Sequence, residues 1–573
     1  MRLLSHRLQM SFLQAPHREV ASSFSLAIAA LAILFSSLQN TPAIASESNA
    51  LRPNIVIVLV DDMGFSDVGC YGSEIETPHL DRLAASGLRF TSFYNSGRCC
   101  PTRASLMTGL HPHQAGIGHM TEPPERTLGF DGAYQGHLND QCTTLAEVLK
   151  SADYHTMMVG KWHLGYHQQS DWPLQRGFDQ FFGCIAGAFN YFNPSGNRSL
   201  VNGNTVIESP KDFYATDTLT DIACDYISEA HAADDDPFFL YLAYNAPHWP
   251  LNTKVPEFEK YKGKYRGGWP AVMNSRLEKQ IQLGLFDSNV NAAPHVGPEW
   301  SSLTDKQRDE LDSIQAAYAG CIDSIDQNVG KLIRQLEAIN ELDNTLVFFL
   351  SDNGACQEGG TLGSFKPEWI ENPPSGVGGI RQGLAWANAS NTPFRLYKHF
   401  VHEGGACTPL IAHWPKGIPQ SNRGSFVREV GYLPDFMATC LELSGARYPD
   451  NVPSHAGQSL VPVLKGKNEP IHEAPIYWEH EGNAAMRDGH WKLVREYKKP
   501  WELYNMSKDP TEMNDLAGTD LDRLASMIRL WEQWATANEV AFPERFNMYH
   551  YLNKLKKEAA KKKAESKETT PQP

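Results

Sequence analysis

The 573-residue chain has no CxxC pair, and its ten cysteines (70, 99, 100, 142, 184, 224, 321, 356, 407 and 440) are scattered without the dense spacing of a disulfide scaffold. They define no zinc site, and any pairing among them after export is not readable from their spacing. There is no basic stripe interleaved with aromatics before the extreme C-terminus. Asp plus Glu outnumber Lys plus Arg by 66 to 51, a formal charge of −15. That balance argues against nucleic acid as a partner. No run reaches membrane length either: "FSLAIAALAILFSSL" (24–38) falls short of the roughly 20 apolar residues that cross a bilayer, so no stable span is expected.

That short run has the flanks of an address. Arg2, Arg7 and Arg18 precede it, and Ala43 and Ala45 follow it as an A-x-A cleavage site. Residues 1–45 therefore read as a signal peptide and the protein as exported, periplasmic or secreted, with an uncleaved anchor as the alternative.

The rest is globular. With 41% hydrophobic and 10% aromatic residues, the chain has the material for a large core. Four apolar runs share one grammar. "NIVIVLVDD" ends in Asp61 and Asp62, "YHTMMVGKWHLG" in Lys161 and His163, "PFFLYLAYNAPHWP" at His248, and "LVFFLSDNG" in Asp352 and Asn353. Runs apolar on both faces suit strands of a mostly parallel sheet, where ligands gather beyond the carboxyl ends of the strands. Helical segments fill the gaps. "TPHLDRLAASG" offers Thr77 as a cap, Pro78 at the first helical position and Gly87 as a stop. From about 309 to 342, Ile314, Tyr318, Ile322, Ile325, Val329, Leu332 and Leu336 form the stripe of a long amphipathic helix.

The expected architecture is thus α/β, a large mostly parallel sheet flanked by helices over 46–469. A smaller α+β subdomain follows over 470–545, with short strands and a helix at 519–538, and a charged, disordered tail over 546–573. The Gly-, Pro- and Asn-rich segment 355–395, with Trp369 and Trp386, reads as part of a pocket wall, its tryptophans facing the substrate.

The stretch "GRCCPTRASLMTG" (97–109) sets Cys99, Cys100, Pro101, Thr102 and Arg103 in the pattern C-x-P-S/T-R. It resembles the signature of the type I sulfatases, members of the alkaline phosphatase superfamily. "PNIVIVLVDDMG", "GKWHLG", "PHWP", "SDNG", "TPFRLYKHFVHEGG" and the late "WKLV" and "ELYNMSKDPTEMNDLA" resemble segments of the same family in the same order. "HPHQAGIGHM" and "NTPFRLYK" look most like its bacterial arylsulfatase branch.

The resemblance implies hydrolysis of aryl or carbohydrate sulfate monoesters to alcohol and inorganic sulfate. It implies that a formylglycine-generating maturation enzyme converts Cys99 to Cα-formylglycine, whose hydrate is the nucleophile; Cys100 reads as a buried small hydrophobe. Asp61, Asp62, Asp352 and Asn353 offer hard oxygen ligands, which with the modified Cys99 suit Ca²⁺, or Mg²⁺ as the alternative, better than zinc. Arg103 and Lys161 resemble residues that steady the formylglycine and the sulfate, and Lys398 resembles a second sulfate-binding lysine. By the same resemblance, His248 protonates the leaving oxygen, Asp352 takes a proton from one diol hydroxyl, and His163 takes one from the other. A phosphonate or phosphate ester hydrolase of the same superfamily is the alternative activity. A catalytically dead, carbohydrate-binding homologue is disfavoured, because every expected polar position is filled.

Overall fold

The computed structural model describes residues 52–121, 132–376 and 378–541; the expected signal peptide and the charged tail lie outside the described residues. Strands β1 (Asn54–Val60), β2 (Leu88–Tyr94), β3 (His155–Lys161), β4 (Gln180–Cys184), β5 (Leu200–Asn202), β6 (Thr205–Ile207), β7 (Phe238–Ala243), β8 (Thr345–Ser351), β9 (Cys407–His413), β10 (Phe426–Val427) and β11 (Gly431–Tyr432) build an 11-stranded sheet. Its order is β10-β2-β9-β8-β1-β7-β3-β4-β5-β6, with β11 beside β2. The five central strands β8, β1, β7, β3 and β4 run parallel, antiparallel pairings flank them on both sides, and β10 and β11 lie parallel to β2 at one edge.

β1 is apolar on both sides because both sides are covered. Val56, Val58 and Val60 join one core layer, and Ile55, Ile57 and Leu59 join the other. The α/β architecture read from the sequence is the one observed. Helix α1 (Pro78–Ser86) starts at Pro78 as expected, but Thr77 makes no capping bond from its side chain. Its hydroxyl accepts instead from the Gly69 N–H at 2.8 Å, and two N–H groups of the first turn are taken by Asp326.

Helix α2 spans Cys99–Thr108. The long helix, α3, spans Asp305–Ala338 and so starts ahead of its apolar stripe. Thr304 and Gln307 set that start: each side chain accepts from the other's backbone N–H, at 3.3 and 2.9 Å, a capping box that stops the N-terminus fraying. Helix α4 (Gly383–Ser390) carries Trp386.

A second, antiparallel sheet, β12 (Ile476–His480), β13 (Asn483–Asp488), β14 (Trp491–Arg495) and β15 (Glu502–Asn505), follows in simple order. Period-two alternation splits its side chains. Ala484, Met486, Leu493 and Leu503 pack under α5 (Leu521–Ala537), while Ile476, Trp478, Ala485 and Val494 join the main core. All ten cysteines are unpaired and buried, and among the described residues no helix is long and apolar enough to cross a membrane.

Candidate active site

Parallel register brings distant sequence positions side by side. In β1 and β8, Val60 pairs with Ser351, so the next residues, Asp61 and Asp352, leave the sheet as neighbours. Leu59 pairs with Ala243 of β7, and Ala243 with Gly160 of β3, which sets Lys161 two strands away. Gly160 is required there: at φ +114° a Cβ would stand 1.9 Å from the Ala243 carbonyl oxygen. His248 and His163 lie just past the ends of β7 and β3.

The carboxylates sit in a cage of cations. Lys161 Nζ donates to Asp61 Oδ2 at 2.5 Å, and Arg103 Nη2 donates to Asp352 Oδ2 at 2.7 Å while standing 3.8 Å from Asp61. Burial pushes the Asp61 carboxyl up, but Lys161, His248 and Arg103 together outweigh it and hold Asp61 well below the usual range. Asp352 goes the other way: burial and the charge of Asp61 raise it well above an ordinary carboxyl, despite Arg103 and Lys161. Asp62 adopts φ +70° and donates its N–H to Asp352 at 3.2 Å. Its carboxylate accepts from Lys398 Nζ at 2.8 Å and from Asn353 Nδ2 at 2.7 Å.

Two oxygens in this cage are left over. Asp61 Oδ1 and Asn353 Oδ1 are buried without a hydrogen-bond donor. An orphaned buried acceptor costs about 1–3 kcal/mol unless something positive fills the gap. All four candidate ligands supply hard oxygens, and this donor set fits a Ca²⁺- or Mg²⁺-class cation. One oxygen each from Asp61 and Asp62 also lies within 4.8 Å of the other and of a His248 nitrogen.

Cys99 opens α2, where unsatisfied N–H groups favour an anion. Arg103, one turn on, reaches past it to the Lys161 carbonyl at 2.8 Å and to Asp352. Burial would lower its pKa, yet Tyr241, Asp352 and Asp61 more than compensate, so the guanidinium stays charged. His163, at φ +61°, sets its ring against the Cys100 thiol, with nitrogens 3.3 and 3.4 Å from Sγ. Burial brings its pKa down to about 4, with Cys99 opposing and Lys161 adding to the drop. His248 donates from Nδ1 to the Trp249 carbonyl at 2.6 Å, which leaves Nε2 facing Asp62 at 3.4 Å. Burial lowers its pKa too, against the pull of Asp62.

All ten residues singled out in the sequence therefore meet at one end of the sheet. Some neighbours were not foreseen. Cys100 is buried in the core as expected, and its thiol also touches His163. Tyr318, read only as part of an apolar stripe, sets its hydroxyl 2.8 Å from Asp67 and 3.2 Å from the Asp62 carbonyl. The tryptophan expectation needs correction. Trp386 is fully buried, donates to the Leu311 carbonyl at 3.0 Å and packs on Trp269, so it belongs to the core. The loop reaches the site with other residues: Glu358 accepts from Trp249 Nε1 at 2.9 Å and from Arg98 at 3.2 Å, and Arg381 lies 4.1 Å over the Trp249 ring.

Residues 53–446 match the family model described as Sulfatase. The chain belongs to the sulfatase family. As a sulfatase it is a sulfuric ester hydrolase, and residues 394–535 also match the model of the N-sulphoglucosamine sulphohydrolase C-terminal region. It is similar to an uncharacterized sulfatase of Schizosaccharomyces pombe, 33% identical over 88% of this chain and 97% of that one. It is similar to the arylsulfatase of Klebsiella aerogenes, 33% identical over 72% of this chain and 90% of that one. Among solved structures, Ps i-CgsB in complex with k-i-k-neocarrahexaose superposes with a TM-score of 0.64 at 27% identity, covering 86% of this sulfatase and 95% of that chain.

Proposed function

We propose that this sulfatase is an exported, formylglycine-dependent enzyme that hydrolyses aryl or carbohydrate sulfate monoesters at the ends of β1, β3, β7 and β8. The observation that carries the proposal is Cys99 at the first turn of α2, beside a cage of oxygens that holds two orphaned acceptors. Asp61, Asp62, Asp352 and Asn353 would hold a divalent cation, Ca²⁺ before Mg²⁺, together with the modified Cys99. That cation would supply a fixed positive charge against the sulfate and the attacking oxygen. A hydrated formylglycine, made by a maturation enzyme, would supply two hydroxyls on one carbon, one to attack sulfur and one to expel the sulfate afterwards.

The chain's own side chains then divide the remaining work. A sulfate ester spreads negative charge over its oxygens, and Lys161, Lys398 and Arg103 are cations already fixed in place, which spares reorganisation during reaction. His248 offers Nε2 to the leaving oxygen because Nδ1 is committed to the Trp249 carbonyl. Burial keeps His163 neutral well below pH 6.5, so its ring is free to accept a proton there. Asp352, held between Arg103 and the Asp62 N–H, is the group placed to take one from the nucleophilic hydroxyl. The carbohydrate half of the proposal is supported by the saccharide in the Ps i-CgsB complex, and the aryl half by the Klebsiella aerogenes relative.

Intact and peptide mass spectrometry of the exported protein tests export and the conversion of Cys99 together. Elemental analysis beside it identifies the cation. Matched aryl sulfate and aryl phosphate esters then separate a sulfatase from a phosphoryl-transfer enzyme: faster phosphate hydrolysis would overturn the proposal.

A further inference from the structure

A hairpin tip is normally a surface feature, since its backbone polar groups need water. The β12–β13 tip is not. His480, Glu481 and Asn483 are 0, 4 and 1% exposed, and they lie against His399, the residue after Lys398. His399, His480 and Glu481 place one potential ligand atom each within 4.8 Å of the others, the donor set of a transition-metal site.

The hydrogen bonds of the structure commit the cluster to another use. Asn483 Nδ2 faces the carbonyls of His399 and His480 at 3.3 and 3.1 Å, and its Oδ1 accepts from the Tyr497 N–H at 3.1 Å. The reverse orientation of the amide would set oxygen against two carbonyls, so the assignment is forced. The same Nδ2 lies 3.2 Å from His399 Nε2, which must therefore be an acceptor. The ring proton is then on Nδ1, which stands 3.6 Å from Glu481 Oε2. A nitrogen that carries a proton cannot ligate a cation.

What the tip holds is a strained segment. His399 sits at φ +89°, a conformation that a bulky residue keeps only when its surroundings over-determine it. Its N–H donates to the Gly97 carbonyl at 2.8 Å, two residues before Cys99, and the preceding Lys398 N–H donates to the Ala355 carbonyl at 3.1 Å. Lys398 Nζ ends on Asp62. We propose that Asn483 is a positioning residue for Lys398: its amide clamps both the ring and the carbonyl of His399, and so aims the lysine into the site from the second sheet. The C-terminal sheet is then a working part of the catalytic centre. This rests on the reading that Lys398 acts on the sulfate ester.

A double-mutant cycle decides it, on the full-length, matured enzyme with nitrophenyl sulfate as substrate. Asn483→Asp keeps the shape but removes the donor that two carbonyls and the ring require. With Lys398 present, kcat/KM should fall about 10–100-fold, the range expected for a misplaced catalytic group. In a Lys398→Ala background the same change should cost less than about twofold, because the group it positions is gone. His399→Asn, which tolerates positive φ but loses the ring contact, should show the same dependence on Lys398 and covers the case in which Asn483→Asp folds poorly. Equal factors in the two backgrounds for both variants would overturn this inference. Full activity of Lys398→Ala alone would instead overturn the role of Lys398 on which it stands.

Discussion

Burial of His163 makes a quantitative statement about pH. Its pKa falls from 6.5 to about 4, which favours the neutral ring by about 3 kcal/mol. The depression comes from burial and the Lys161 charge, while Cys99 opposes it. Conversion of Cys99 to an uncharged group removes that opposition, so the mature enzyme should hold His163 no higher. At about pH 5.5 an ordinary histidine would be neutral in roughly a tenth of molecules, whereas His163 would be neutral in nearly all. If His163 is the base that expels sulfate, kcat measured where that step limits turnover should stay flat from about pH 7 to about pH 5 and bend only near pH 4. The same shift bears on stability with a definite sign. The unfolded chain takes up the proton below 6.5 and the folded chain only near 4, so stability falls as pH drops through that window. His163→Gln should lose about 10²–10⁴ in rate and flatten that part of the stability curve. An acidic limb near 6.5 that disappears in His163→Gln would refute the reasoning, because it would mean the ring titrates as if exposed.

Cys99→Ser should fold but sustain no multiple turnover, since a serine has no second hydroxyl to expel sulfate. Cys100→Ser should keep most activity and disturb only the rate of the step that uses His163, and product counting in a single-turnover experiment separates the two. Asp61→Asn and Asp352→Asn should lower metal content and rate together, and full activity in metal-depleted enzyme, checked by elemental analysis, would refute the oxygen cage. His248→Ala should slow an alkyl or sugar sulfate more than nitrophenyl sulfate, whose phenolate leaves unaided; equal factors, with chemistry limiting, would remove His248 as the acid. Trp386→Ala should cost about 3–5 kcal/mol in urea unfolding and leave KM unchanged, whereas a shifted KM with intact stability would return it to the pocket wall.

The sequence by itself determined which polar residues follow the apolar runs and which stand in the motif around Cys99. Both facts are local: a run of Ile, Val and Leu buried on two faces stops where Asp61, Lys161 or Asp352 begins, and the motif around Cys99 is contiguous. It also determined the helix starts that rest on neighbouring residues, such as Pro78. Tertiary structure decided everything that depends on register and on distant contacts. Asp61 and Asp352 became neighbours only through the pairing of Val60 with Ser351, across nearly three hundred positions. Trp386 went to the core because Trp269 and the Leu311 carbonyl were there to receive it, and no periodicity within 355–395 records those partners. The positive φ of Asp62, His163 and His399 is likewise invisible in composition, because strain is tolerated only where a finished surrounding enforces it. Thr77 lost its cap to Asp326 of another helix for the same reason: a backbone donor takes the acceptor that packing brings nearest.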